Sequence, residues 1–530
     1  MKKSIVYIIL IVSVLLSVFF GFQKSGFHED EYYTYFSSNR SQGLYQPDRE
    51  WQDKQTVYDE FSVKPGEGFN YGLVKLVQSW DVHPPIYYFI FHTACSMVPS
   101  IFTKWTGLIT NLIAFVISFF ALYALMKRLH VPYHVILFVL AFWGLNPQTV
   151  SCNLLIRMYA WLTTAVFICA YLHVRFIQEY DSYKSDLKNF TIKLVLPIAL
   201  VSYIGVLIQY FYIFFFGCIG FALSLWLFVR RKDIRNTFVY VMGCGLSMVL
   251  AVLTYPAMLH HLFGGYRGTG ATGSMFDLGN TFMRLSFFTG LLNDFVFGGA
   301  LFLVAVLMIV GLLYIIVKKK ERFSLNAETV ILTVGTVGYF LLTSKAALLV
   351  GSASNRYEMP IYGLVILLLF WAIYCLNQKI GIELYHPLMV TFFLLTCMNG
   401  FVRDSKVLFL YKEDVNKIDY ARANSDGVAV VMFNPATPHN VWRLTDELLQ
   451  YDRVFYMNEE NLDPLTEQDV VNADKIVLYV ADDDFKNDAI CNLVNSCKNL
   501  DSIKEVDSED MWTTCEISGV EEHSFDKPKE

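Results

Sequence analysis

Long apolar runs separated by short polar stretches dominate residues 1–402. A membrane span needs about 20 apolar residues, because hydrocarbon offers backbone polar groups no partner and only a complete helix satisfies them. Runs of this kind lie at 4–22, 105–126, 131–149, 157–177, 192–208, 210–229, 238–257, 296–317, 329–350, 359–376 and 384–402. The pattern predicts about 11 spans. Lys2 and Lys3 before the first run would also suit a signal peptide, but no small-residue cleavage site follows, so the run reads as a retained helix. The stretch 85–98, rich in Tyr, Phe and His and bounded by prolines, is too short to span and reads as a helix lying along the membrane surface.

The placement of 85–98 fixes the side of every later loop. With it on the surface, the inner loops hold 17 of the 29 basic residues of 1–402, among them Lys127, Arg128, Arg175, Arg230, Arg231, Lys318 and Lys319. The positive-inside rule favours that arrangement over its inverse. The N-terminus is then cytoplasmic and the C-terminus extracytoplasmic. Three outer regions result: a loop at 23–83 followed by the surface helix, the segment 258–295 with a flexible Gly-rich stretch at 264–270, and the tail. In the tail, apolar runs at 428–433 and 475–480 alternate with helix-like segments at 441–451 and 485–494, the pattern of an α/β domain. The expected fold is a polytopic α-helical membrane domain over 1–402, with an outer loop and surface helix at 23–104, and an extracytoplasmic α/β domain over 403–530.

Composition sharpens this division. The chain is 55% hydrophobic and 17% charged, with a net charge of −6. Residues 403–530 carry 13 Lys+Arg against 28 Asp+Glu, whereas 1–402 carry 29 against 20. The body is cationic and the tail acidic. These values exclude a disordered chain, a disulfide-stapled small fold and a nucleic-acid binder driven by positive charge. Seven of the ten cysteines lie in apolar segments, and Cys491, Cys497 and Cys515 in the tail allow one disulfide at most.

The candidate chemistry falls on the outer side. His28-Glu29-Asp30-Glu31-Tyr32-Tyr33 follows the first span; its carboxylates could act as a general base or hold a cation, or could be an ordinary solvated acidic loop. Asp81-Val82-His83-Pro84-Pro85 leads into the surface helix, and its plainer reading is a Pro-stiffened turn. Arg157-Met158-Tyr159 and Asn355-Arg356-Tyr357 stand at the outer starts of two spans, and Lys345 near the outer end of another. A lone Arg there would snorkel to the interface. Two Arg and a Lys on the side that disfavours cations point instead to an anionic ligand such as a lipid phosphate, which Arg binds in bidentate fashion. Gln209-Tyr210 forms an outer turn that could line a sugar or lipid site or belong to an aromatic belt. His28, Glu29, Asp30, Glu31, Asp81 and His83 could also assemble a divalent-cation site.

The ordered set of Asp30-Glu31 after the first span, His83-Pro84-Pro85-Ile86-Tyr87-Tyr88, Arg157-Met158-Tyr159 and Arg356-Tyr357 resembles the membrane-embedded GT-C glycosyltransferases, in the bacterial branch related to protein O-mannosyltransferases and lipid A aminoarabinose transferases. The resemblance covers about residues 1–400. It implies an inverting glycosyltransferase of the outer face that takes a sugar from a polyprenyl-phosphate-linked donor to a glycan, lipid or protein acceptor, with no certain cofactor and no nucleic-acid partner. It implies Asp30 as catalytic base with Glu31 as its acidic partner, and Arg157, Arg356 and Lys345 at the donor phosphate. His83, Tyr159, Tyr210 and Tyr357 would line the cleft, and His28, Asp30 and His83 could hold a metal. Two departures stand out. Gln209-Tyr210 replaces the family's frequent His-Tyr, and no acidic residue stands shortly before Arg157-Met158-Tyr159.

Two other functions fit the topology. A polymerase or ligase of lipid-linked glycans also has many spans and a large outer loop, but the acidic pair directly after the first span argues against it. A lipid transporter or flippase should carry ionisable residues near the bilayer midplane or broken spans in matching halves. Here the ionisable residues cluster at the outer rim.

Overall fold

The computed structural model describes residues 2–39, 46–319, 326–381, 390–392, 394–396, 400–401, 406–509 and 511–519. The chain forms two units. The first comprises Met1–Gln23, Phe69–Ala94 and Thr103–Leu410; the second comprises Lys24–Gly68, Cys95–Phe102 and Tyr411–Glu530.

The first unit is helical. Among the described residues, nine helices are long and apolar enough to cross a membrane, from Ser4–Gln23 to Met359–Ile380, and the bent pair Tyr133–Gly144 and Pro147–Leu154 makes a tenth if counted as one span. The chain is a multi-pass membrane protein. Ten of the expected spans correspond to these helices, and the eleventh, 384–402, falls largely outside the described residues. The run 131–149 is not one straight helix. It turns by 51° where Asn146 accepts a hydrogen bond from the Gln148 N–H and Pro147 opens a new first turn, positions that suit a helix start and not an interior. Outward faces of the long helices remain apolar, as with Ile8, Val12, Leu15 and Phe19 on the first, which is what contact with lipid tails requires. The segment 85–98 contains an 11-residue helix, Ile86–Ser96, too short to cross.

The Gly-rich stretch at 264–270 departs from expectation. It is mostly helical, within Tyr266–Phe276. A Cβ on Gly268 would meet the His261 and Leu262 carbonyl oxygens at 2.3 and 2.4 Å. The glycine there permits close approach to the preceding helix Ala257–Phe263 instead of supplying flexibility.

The second unit is a six-stranded mixed sheet in the order β1-β3-β2-β4-β6-β5, with β1 Glu50–Asp53, β2 Val428–Phe433, β3 Arg453–Asn458, β4 Lys475–Ala481, β5 Ser502–Glu509 and β6 Trp512–Ser518. The central β3-β2-β4 strands are parallel and the outer pairings antiparallel. Alternation sends Val430 and Met432 of β2 to one face, where Ala489 and Leu493 of the helix Lys486–Ser496 pack. Val431 and Phe433 go to the other face, against Ala421, Val441 and Leu448. The layers are those of an α/β domain. Its extent differs from the expected 403–530, because the first loop contributes an edge strand: Glu50, Trp51, Gln52 and Asp53 of β1 pair with Tyr456, Phe455, Val454 and Arg453. Phe102 stacks on Phe27 at 5.3 Å and packs on Phe61 at 5.0 Å, which ties 95–102 into the same unit. Cys491, Cys497 and Cys515 are all free thiols.

Candidate active site

Arg157 belongs to a short irregular link between two helices. Pro147–Leu154 ends at Leu155, whose carbonyl accepts the Arg157 N–H at 2.7 Å, and the long helix Tyr159–Tyr183 begins just beyond. Asn111, buried in the helix Lys104–Arg128, donates its amide to the same Leu155 carbonyl at 2.6 Å and to the Asn153 carbonyl at 3.3 Å. Gly107 on that helix leaves room for Ile156, whose nearest atom would stand 2.2 Å from a Cβ. The link is thereby fixed from one side, and the guanidinium is only 2% exposed.

Within this unit Arg157 donates to the Tyr88 hydroxyl and meets His83 Nε2, each at 3.1 Å. His83 Nδ1 lies 3.0 Å from an Asp81 carboxylate oxygen. Arg157 cannot accept a hydrogen bond, so its contact to His83 is a bond when Nε2 presents a lone pair and the Nδ1 proton points to Asp81. Burial opposes ionisation of Asp81. The opposing pull of His83, Arg157 and the Val82 N–H is greater and holds the carboxyl below its ordinary range. Tyr255 donates to the His83 carbonyl at 3.5 Å, and the Tyr210 hydroxyl meets His261 Nδ1 at 2.9 Å. Burial lowers the pKa of His261, which favours its neutral form.

The other rim residues reach the same end of the bundle through aromatic contacts. Tyr357 meets Tyr159 edge-on at 5.9 Å and Phe211 at 5.6 Å. The Tyr339 hydroxyl donates to the Tyr357 carbonyl at 2.8 Å, and Tyr362 donates to Asn355 at 2.6 Å. Arg356, 6% exposed, donates to the Tyr357 hydroxyl at 3.3 Å. Beside it, Glu358 is 1% exposed and accepts from Ser344 at 3.3 Å; burial pushes its pKa well up. The structure therefore assembles His83, Arg157, Tyr159, Tyr210, Arg356 and Tyr357 at one end of the helices. Lys345 is used differently. Its ammonium donates to the Asp277 carbonyl at 2.6 Å, to Thr281 at 3.0 Å and to Asn280, which engages its three donors in pinning the 277–281 turn.

The two candidate carboxylates belong to the second unit and have unlike settings. Glu31 and Lys24 form an ion pair at 2.9 Å with both side chains 0% exposed, and Glu31 also accepts the His28 N–H at 2.6 Å. Sealed in this way, Glu31 holds the start of the helix Glu29–Asn39 and does not reach solvent. Asp30 is 25% exposed, 3.6 Å from His28 Nδ1, and its N–H donates to that same nitrogen at 3.0 Å. Glu29 pairs with Arg443 at 2.7 Å. The candidate metal set is divided, with His28 and Asp30 in the second unit and His83 in the first. Among the described residues, no three His, Cys, Asp or Glu side chains are grouped to hold a metal ion.

Several members of these networks were not singled out as site residues in the sequence. Asn111 had a usable signal, since a polar amide inside an apolar span is rarely idle. Tyr88 lay within the His83-to-Tyr88 motif without being given a role, and Tyr255 and His261 had no signal beyond membership of aromatic-rich stretches. Lys24 was hidden because a charge just past a span ordinarily faces water.

No protein-family model matches the chain, and no curated protein does. Among solved structures, ArnT from Cupriavidus metallidurans bound to undecaprenyl phosphate aligns over 92% of this chain and 96% of its own, at 10% identity and a TM-score of 0.45. The archaeal oligosaccharyltransferase AglB from Archaeoglobus fulgidus, in complex with an inhibitory peptide and a dolichol-phosphate, aligns over 90% of this chain and 69% of its own, at 11% identity and a TM-score of 0.45. Both are GT-C enzymes. At such identities and TM-scores under 0.5, neither alignment gives this chain a reaction or any residue a role.

Proposed function

We propose that the protein is an inverting glycosyltransferase that moves a sugar from a polyprenyl-phosphate-linked donor to an acceptor on the outer face of the membrane. The observation that carries this reading is the buried Arg157, held by Tyr88 and His83 at the end of an apolar helical bundle where Arg356 is also buried. A buried guanidinium is costly unless something repays its desolvation. A lipid phosphate does so with bidentate, charge-assisted hydrogen bonds, and the apolar helices suit its isoprenoid chain.

The reaction follows from these groups. Asp30 takes the acceptor's proton as the acceptor attacks the anomeric carbon from the face opposite the phosphate. The bond from that carbon to the phosphate oxygen breaks, and the electron pair leaves with the polyprenyl phosphate. Arg157 and Arg356 stabilise the charge that develops there, and one displacement inverts the anomeric centre. Glu31 acts as a positioning residue through Lys24 and the His28 N–H.

The test is sugar release from a labelled polyprenyl-phosphate sugar by purified wild-type protein and by Asp30→Asn. Turnover by wild type that the substitution abolishes, with donor binding retained, supports the reading. Equal turnover by both removes Asp30 as base. Lipid binding with no turnover by either favours a lipid transporter.

A further inference from the structure

The second unit contains a cleft that the proposed reaction does not use. It has a volume of about 340 Å³, is lined by Glu29, Glu413, Glu447, Asp507, Lys417 and Arg443 among others, and continues into a space of about 440 Å³ that shares Glu413, Glu447, Lys417 and Asp507. Arg443 is committed to Glu29 at 2.7 Å. Lys417 stands 3.9 Å from Asp414 and 3.8 Å from Asp507, between the two.

Glu447 is the informative member. It is 6% exposed and lines both parts of the cleft. Apart from its own backbone N–H, its carboxyl has no hydrogen-bond or ion-pair partner among the described residues. Burial, helped by Asp446 and Asp414 and only partly offset by Lys417, pushes its pKa up to about 8. A buried carboxyl that faces an open space, with Lys417 only partly offsetting its burial, suits a ligand's cation. Trp512 and Tyr411 line the same cleft with aromatic rings, and Thr514 with a hydroxyl. Aromatic faces and hydroxyls take up the apolar and polar sides of a sugar ring, and an aromatic face also attracts a cation.

We propose that this cleft binds an amino sugar, with its protonated primary amine on Glu447 and its ring against the aromatic wall. Naming that sugar as part of the acceptor rests on the transferase reading; His28, which lines the cleft, contacts the candidate base Asp30 at 3.6 Å.

Calorimetry on the full-length protein in lipid nanodiscs tests this with two probes, the glucosamine disaccharide and its N-acetylated form, which differ in charge and little in shape. The free amine should bind, and acetylation should weaken binding at least tenfold. Glu447→Gln should weaken the amine probe about tenfold or more, and Glu413→Gln, at the exposed lip where folding is not at stake, about threefold. Equal binding of the two probes, no binding of either, an unaffected Glu447→Gln protein, or tighter binding of dilysine than of the amino sugar would each overturn the inference. Donor turnover is read on the same preparations. Turnover without amine binding defeats this inference and leaves the transferase reading standing, and amine binding without turnover does the reverse.

Discussion

The two ends of the helical unit carry the same residue types in opposite conditions. At one end, Arg128 and Arg175 share Glu179 at 2.7 and 3.0 Å, Lys184 and Arg231 share Asp181, and every one of these side chains is about a quarter or more exposed. At the other, Arg157 and Arg356 are 2% and 6% exposed and donate to tyrosine hydroxyls, Arg157 also meeting His83. Exposed pairs are each worth about 0–1 kcal/mol, and basic loops of this kind bias the orientation of a membrane chain. Burying a guanidinium costs desolvation that its contacts must repay. The contrast sets exposed, ion-paired cations against the buried ones that the proposed reaction uses.

The largest expected consequence is in turnover. Arg157→Ala should lower sugar release at least ~100-fold, as loss of a preorganised charge stabiliser does, while Arg128→Ala should stay within about twofold. Comparable losses from both would erase the distinction between the ends. Next comes the support of Arg157. Asp81→Asn cannot fix the His83 tautomer and should cost ~10-fold or more in turnover. The Asp81 carboxyl is held below its ordinary range, so Asp81 itself should stay ionised until the pH falls below about 4, and Asp81→Asn should lack any acid limb that its protonation causes. A pH–rate profile of both proteins reads this directly.

A third prediction concerns stability in the other unit. Glu447 has its folded pKa raised to about 8, so the unfolded chain releases a proton at lower pH than the folded one. Its contribution therefore favours the folded state at acid pH and weakens as pH rises to about 8. Glu447→Gln should melt closer to, or above, wild type at pH 8 than at pH 5, by roughly 3 °C in the difference. The smallest effect is expected at Lys345. Lys345→Met removes three hydrogen bonds to the 277–281 turn and should lower the melting temperature by a few degrees, ~1–3 kcal/mol, with the KM for donor unchanged. A raised KM would return Lys345 to the phosphate site.

What could be read from the sequence followed what is local. Apolar runs fixed the positions of the spans because each must satisfy its own backbone, and the shortness of 85–98 marked a helix that does not cross. The rim residues Arg157, Arg356, His83 and Tyr357 were visible because charge and aromatics at span ends are costly or specific. Illegible features depend on contacts between distant segments. Four residues at 50–53 show no strand pattern alone, and form one only because Arg453–Asn458 offers an open edge. Glu31 looked like an active carboxylate because nothing in the order of residues shows that Lys24 folds back onto it. Glu447 looked like one more acid in an acidic tail, and its burial comes from the packing of the sheet's helical cover.

The most direct test of the account is equilibrium binding of polyprenyl phosphate to wild type, Arg157→Ala and Arg128→Ala, all in nanodiscs of neutral lipid. Affinity should fall at least tenfold in Arg157→Ala, about 1.4 kcal/mol, and remain within twofold of wild type in Arg128→Ala. If Arg157→Ala binds the lipid phosphate as tightly as wild type does, the buried end of the bundle is not the phosphate site.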